Sequence, residues 1–213
     1  MPTKVKICGL KTEAALEAAL DGGADYVGFV FFPPSPRNVA PQTAKMLTAK
    51  ARGRAKIVAL MVDPDDALIA EVVASAAPDM IQLHGHETPA RVAVVRARWG
   101  IPVMKAVAVE TADDARAALR YRAAADLILF DARAPADSAR PGGNGAPFDW
   151  RTLLSIKDEV AFVLSGGLTP DYVAEAIRLT GAPTVDVSSG VESRPGEKDP
   201  ELIRRFLRAA KGV

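Results

Sequence analysis

Cys8 is the single cysteine among 213 residues, and it stands where the apolar run Val5 to Cys8 gives way to Gly9. Inside such a run a cysteine reads as a small core side chain; placed last in a strand, before a glycine and the start of a helix, it reads as a proton acceptor. A free thiol has a pKa of about 8.5, and lowering it to about 7 takes roughly 2 kcal/mol of differential stabilisation. A helix N-terminus supplies a fraction of that, so a neighbouring lysine or histidine has to supply the rest. Asp131 follows the apolar run Leu127 to Phe130 and precedes a glycine- and proline-rich stretch, Arg133 to Pro147. A carboxyl group at the end of a buried strand either serves as an acid with a raised pKa or simply caps and pairs. A thiol and a carboxyl on different strands make a base and an acid with substrate between them. That suits proton transfer and isomerisation; acyl transfer would want a histidine beside Cys8.

Phosphate chemistry is signalled by two glycine-containing turns, Ser165-Gly166-Gly167-Leu168-Thr169-Pro170 and Ser188-Ser189-Gly190-Val191-Glu192. Backbone N–H groups in such turns approach phosphate oxygens closely, which marks Gly166, Gly167, Ser189 and Gly190 as phosphate-binding positions. Arg37 follows a stiff Pro33-Pro34-Ser35-Pro36 segment that would hold a guanidinium ready for a carboxylate, although a solvated surface arginine has the same spacing. Period-two alternation puts Lys6 with Cys8, Gln82 with His84, and Asp186 with Ser188 on single strand faces. Gln82 and His84 are read as substrate-binding positions on this ground. Lys6, Lys105 and Asp186 fit equally well as charges that satisfy one another inside the fold.

These positions need elements to carry them. Short Val-, Ile-, Leu- and Phe-rich runs recur at Val5 to Cys8, Tyr26 to Phe32, Ile57 to Val62, Met80 to Leu83, Val103 to Val109, Leu127 to Phe130, Ala161 to Leu164 and Thr184 to Val187. Each is too short for a helix and suits a buried strand. Between them lie amphipathic or alanine-rich stretches, opened by Thr12, Asp63-Pro64, Thr88-Pro89, Thr111 and Thr169-Pro170 and closed by Gly22-Gly23, Gly53, Gly100 and Gly181. Strict strand-helix alternation implies parallel strands with right-handed crossovers. Eight units of about 27 residues favour a single-domain α/β chain, 1–213, closed as a (β/α)8 TIM barrel of minimal size. An open doubly wound sheet competes, but no GxGxxG follows the first strand, where KICGLKTEAAL stands. With eight strands and eight helices accounted for, the stretch after strand six is the one notable insertion. In a barrel the strand ends and following loops form the site, which is where Cys8, Arg37, His84, Asp131 and the two glycine turns lie.

Composition removes other classes. A net charge of +1 gives no general attraction to nucleic acid or membranes, so an anionic ligand must be met by local groups. One cysteine makes no internal disulfide and, with only His84 and His86, no cysteine-based metal site. Neither a long apolar N-terminal segment nor a run of roughly 20 apolar residues is present, so a cytoplasmic location is expected.

Taken in order, KICG, GFVF followed by SPR, QLHG, the strand-six aspartate with GGNG and FDW after it, LSGGL and DVSSGVE resemble the phosphoribosylanthranilate isomerase family over residues 5 to about 207. The resemblance implies a (β/α)8 barrel of tryptophan biosynthesis that converts N-(5′-phosphoribosyl)anthranilate to 1-(2-carboxyphenylamino)-1-deoxyribulose 5-phosphate, an Amadori rearrangement without cofactor or metal. It implies Asp131 as the general acid that opens the furanose, Cys8 as the general base at C2′, Arg37 on the anthranilate carboxylate, and the two glycine turns on the phosphate. The partner is then a small molecule, with neither nucleic acid nor membrane, and the chain a monomer or homodimer. Asn144 departs from the family's usual threonine or serine in the GGNG run and is expected to alter loop rigidity. The related isomerase of histidine biosynthesis has aspartate where Cys8 stands and needs a second phosphate site, neither of which is evident. A catalytically silent sugar-phosphate-binding barrel is the other alternative.

Overall fold

The computed structural model describes residues 2–133 and 149–212, so Asn144 and the GGNG run lie outside the described residues. Strands β1 (Lys4–Cys8), β2 (Tyr26–Phe31), β3 (Lys56–Met61), β4 (Met80–Leu83), β5 (Val103–Val109), β6 (Leu127–Ala132), β7 (Phe162–Leu164) and β8 (Thr184–Val187) pair in parallel and in sequence order. β8 returns to β1, with Lys6 opposite Asp186, so the sheet closes into a barrel. The open-sheet alternative is thereby excluded.

Period-two alternation sorts each strand into two layers. Val5, Ile7, Val27, Phe29, Ile57, Ile81 and Leu83 face outward into one cluster with the helices. Val58, Met80, Met104, Ala106, Leu129 and Val163 fill the lumen, and Cys8, Val30 and Leu60 pack together above them. A polar device joins neighbouring strands at the opposite end. Asp25, Asp79 and Asp126, each just ahead of an even-numbered strand, accept the backbone N–H of Val5, Ile57 and Val103 at 2.8, 2.8 and 2.9 Å. These carboxylates pair backbone donors at the starts of β1, β3 and β5.

The helices are α1 (Glu13–Asp21), α2 (Pro41–Ala51), α3 (Asp66–Ala76), α4 (Pro89–Trp99), α5 (Ala112–Ala118), α6 (Val173–Thr180) and α7 (Pro200–Lys211). Thr12, Thr88 and Thr111 cap α1, α4 and α5 as the sequence suggests, Thr111 in a reciprocal capping box with Asp114. For α3 the cap is Asp65, whose carboxylate accepts from Leu68 N, while Asp63 is held at φ 45° outside the helix. α6 starts at Val173, later than Thr169-Pro170 predicts, after a turn in which Tyr172 N and Val173 N bond to Thr169 O.

Two further departures concern whole elements. In the sixth unit the described residues hold a 3₁₀ helix, Trp150–Ser155, where an α-helix was expected. Leu153 and Ile156 are completely buried and Trp150 packs on the same core, a spacing of three that matches three residues per turn. After β8 a short hairpin, β9 (Glu192–Arg194) with β10 (Glu197–Lys198), adds a second insertion beside the one expected after strand six.

Candidate active site

Lys6 and Cys8 point into the barrel from successive inward positions of β1. Lys6 is fully buried, and its ammonium lies 2.8 Å from Asp186 Oδ1 on the adjoining β8. Burial alone would lower the lysine pKa, but Asp186, with help from Cys8, more than offsets this and raises it. The Lys6 ammonium therefore keeps its charge. Burial pushes the Cys8 thiol up from its ordinary value; Lys6 pulls it down, Asp186 adds to the rise, and Lys198 also pulls it down. Gly28 of β2, in register with Cys8, makes the room: a Cβ there would lie 3.0 Å from Cys8 Sγ and 3.2 Å from Lys6 Cε.

Asp131 projects inward from β6, three strands round the barrel from β1 by way of β7 and β8. Its Oδ1 accepts the N–H of Ala132 at 2.9 Å, and its Oδ2 lies 3.3 Å from His84 Nε2. His84 Nδ1 is in turn 3.2 Å from Gln82 Nε2. Gln82 is completely buried and its Oε1 has no hydrogen-bond partner in the structure. The two positions read as substrate-binding thus line the lumen, with His84 beside Asp131.

Arg37 is buried rather than solvated. Asn38 ties down its loop by accepting Phe32 N at 2.8 Å, and Ser35 Oγ accepts Arg37 N at 3.2 Å. The stem of Arg37 crosses Gly9, where the backbone has φ 80° and a Cβ would come within 2.8 Å of Arg37 Cδ. Its Nε and Nη2 make a two-point contact with Glu192 at 2.8 and 2.9 Å. Glu192 also pairs with the buried ammonium of Lys198 and accepts Gly196 N at 3.2 Å. Burial would raise the carboxyl of Glu192, but Arg37 and Lys198 bring it down to about 2.

Gly166 and Gly167 both have positive φ, 82° and 68°, and a Cβ on Gly166 would meet Ala132 N at 2.6 Å. Gly190 is the middle of a 3₁₀ turn, Ser189–Val191, pressed against the preceding loop so that a Cβ would lie 1.9 Å from Leu168 O. The N–H groups of Gly166, Gly167, Ser189 and Gly190 donate no hydrogen bond to the described residues. The two loops are packed against each other where Gly190 meets Leu168.

Lys105 alone departs from the expected interior network. It is an outward position of β5, and its ammonium pairs with Glu87 at 2.7 Å, bonds Gly85 O at 2.7 Å and stands over the Tyr121 ring. Its strand parity is opposite to that of the lumen residue Met104, which explains why it cannot reach Lys6 or Asp186. Sequence reasoning missed Lys198, Glu87 and Gly28. Lys198 sits in a charged run with no apolar alternation to mark β9 and β10, whereas Gly28 stood in plain view within GFVF. Among the described residues, no group of three His, Cys, Asp or Glu side chains is arranged to hold a metal ion.

Residues 5–209 match the family model described as N-(5′-phosphoribosyl)anthranilate (PRA) isomerase. An N-(5′-phosphoribosyl)anthranilate isomerase from Rhodopseudomonas palustris is 56% identical over the whole chain and 98% of its own length. The protein of that name from a Bradyrhizobium species is 55% identical over the whole chain and 97% of its own. Among solved structures, the Thermotoga maritima phosphoribosyl anthranilate isomerase superposes with a TM-score of 0.88 at 35% identity, covering 99% of this chain and 100% of that one. A phosphoribosyl anthranilate isomerase in complex with reduced 1-(o-carboxyphenylamino)-1-deoxyribulose 5-phosphate gives 0.85 at 34% identity with the same coverage. A closed barrel, a thiol and a carboxyl facing each other at its mouth, and a match along nearly the whole chain agree: the chain belongs to the N-(5′-phosphoribosyl)anthranilate isomerase family.

Proposed function

We propose that this barrel mouth carries out the isomerisation for which its family is named, a step of tryptophan biosynthesis, with Cys8 as general base and Asp131 as general acid. The observation that carries the reading is the inward placement of both groups at the same end of the lumen from strands three apart. Asp131, oriented by His84 and Ala132, delivers a proton to the furanose ring oxygen. Ring opening leaves an iminium at C1′, which acidifies the C2′ proton. The thiolate of Cys8 removes that proton, and the enolamine tautomerises to the ketone. One proton enters and one leaves, so no redox partner is called for. The iminium charge also favours thiolate over thiol in a site where burial alone favours thiol.

Arg37 takes the anthranilate carboxylate in this reading, held in place by Glu192 through Nε and Nη2. The amides of Gly166, Gly167, Ser189 and Gly190 take the phosphate. The same reading places the chain in the cytoplasm as a monomer or homodimer acting on a small molecule. Among the described residues no helix is long and apolar enough to cross a membrane, and one Thermotoga maritima relative is described as dimeric. Cys8→Ala and Asp131→Asn test the assignment by loss of anthranilate-type fluorescence from freshly made substrate. Both variants are expected to lose turnover while still binding the reduced product analogue; near-normal turnover by either would remove that residue from its role.

A further inference from the structure

The hairpin β9–β10 brings a second buried cation to Cys8. Lys198 is 2% exposed, pairs with Glu192, and donates to Ser188 O at 3.1 Å and Ser188 Oγ at 3.3 Å. Ser188 Oγ in turn donates to the backbone carbonyl of Cys8 at 3.3 Å. A strongly hydrated ammonium is costly to bury, and the ion pair with Glu192 explains only part of its placement, because that carboxylate is also engaged at both oxygens by Arg37. Lys6 is different: Asp186 faces it directly on the next strand.

We propose that Lys198 is an electrostatic positioning residue for the base, anchored through Ser188 so that its charge favours the thiolate of Cys8. This rests on the reading of Cys8 as general base. The charged groups around that thiol are Lys6 from β1, Asp186 from β8, Arg37 from the loop after β2, Glu192 from β9 and Lys198 from β10, with His84 of β4 and Asp131 of β6 across the lumen. Lys6 and Asp186 act on the thiol in opposite senses, and Lys198 acts in the same sense as Lys6. Burial lowers the Lys198 ammonium from its ordinary value, opposed by Glu192 and in smaller part by Cys8; burial likewise raises the Cys8 thiol, opposed by Lys6 and in smaller part by Lys198.

With one cysteine in the chain, ultraviolet thiolate absorbance against a Cys8→Ala background titrates Cys8 alone. Lys198→Gln is expected to raise the midpoint, lowering the thiolate fraction at a given pH. Lys198→Arg should restore the wild-type midpoint, and Glu192→Gln should move it downward, opposite to Lys198→Gln. The acidic limb of the kcat profile should follow the same shifts. An unmoved midpoint in Lys198→Gln, with only KM raised, would assign Lys198 to substrate binding and overturn the proposal. Equal upward shifts in Lys198→Gln and Glu192→Gln would also overturn it, as general damage to the site; if Lys198→Gln does not fold, the arginine and Glu192 variants still decide. Full turnover by Cys8→Ala would instead remove the base assignment and leave these titrations readable.

Discussion

Gly190→Ala tests the phosphate end of the site with the smallest possible perturbation. An added Cβ would lie 1.9 Å from Leu168 O and 3.0 Å from Leu168 C, both backbone atoms that cannot rotate aside. Restoring even a tight contact of about 3 Å moves the loops after β7 and β8 apart by roughly 1 Å, and a displacement of that size in a positioned group costs on the order of a hundredfold in rate, or about 2.7 kcal/mol. The barrel core is untouched, because Gly190 lies beyond β8 and its neighbours are loop atoms. The assay compares kcat/KM with the affinities of the reduced product analogue and of its dephosphorylated form. The phosphate-bearing ligand should lose most of its advantage over the dephosphorylated one. A kcat/KM within about threefold of wild type, or equal losses for both ligands, would refute the placement of the phosphate between these loops.

Glu87→Gln leaves the ammonium of Lys105 buried without its charge partner, at a cost of about 3–5 kcal/mol. For a chain of 213 residues that is a fall of roughly 7–11 °C in Tm. Replacing both as Glu87→Gln with Lys105→Met should recover most of the loss, and a double variant as unstable as the single would contradict the pairing. Gly28→Ala places a Cβ 3.0 Å from Cys8 Sγ; it should lower kcat with little change in Tm, measured by steady-state kinetics and circular dichroism. Glu192 has its carboxyl held down at about 2 in the folded state, below its unfolded value of about 4.3. Its stabilising contribution is therefore complete above that unfolded value and is lost as the pH falls toward about 2. Denaturant titrations from pH 5 downward should show a shallower loss of stability in Glu192→Gln than in wild type; parallel curves would show that the carboxylate is unpaired.

The strand order, the parity that groups Lys6 with Cys8 and Gln82 with His84, the strand-end place of Asp131 and the glycine turns after β7 and β8 were all readable in the chain, because each depends on local alternation or on a residue small enough for a tight turn or close approach. Family membership was readable for the same reason, since the motifs sit at strand ends in fixed order. Tertiary structure decided which charges meet. Lys6 and Lys105 look alike in sequence, yet closure of the barrel sets one against Asp186 on β8 while the opposite parity of β5 sends the other outward to Glu87. Arg37 reads as a solvated or carboxylate-binding guanidinium until the hairpin after β8 folds back and sets Glu192, 155 residues on in the chain and itself paired with Lys198, against it. Sequence spacing is one-dimensional and local, whereas a buried ion pair is selected by the desolvation cost that only the assembled interior imposes.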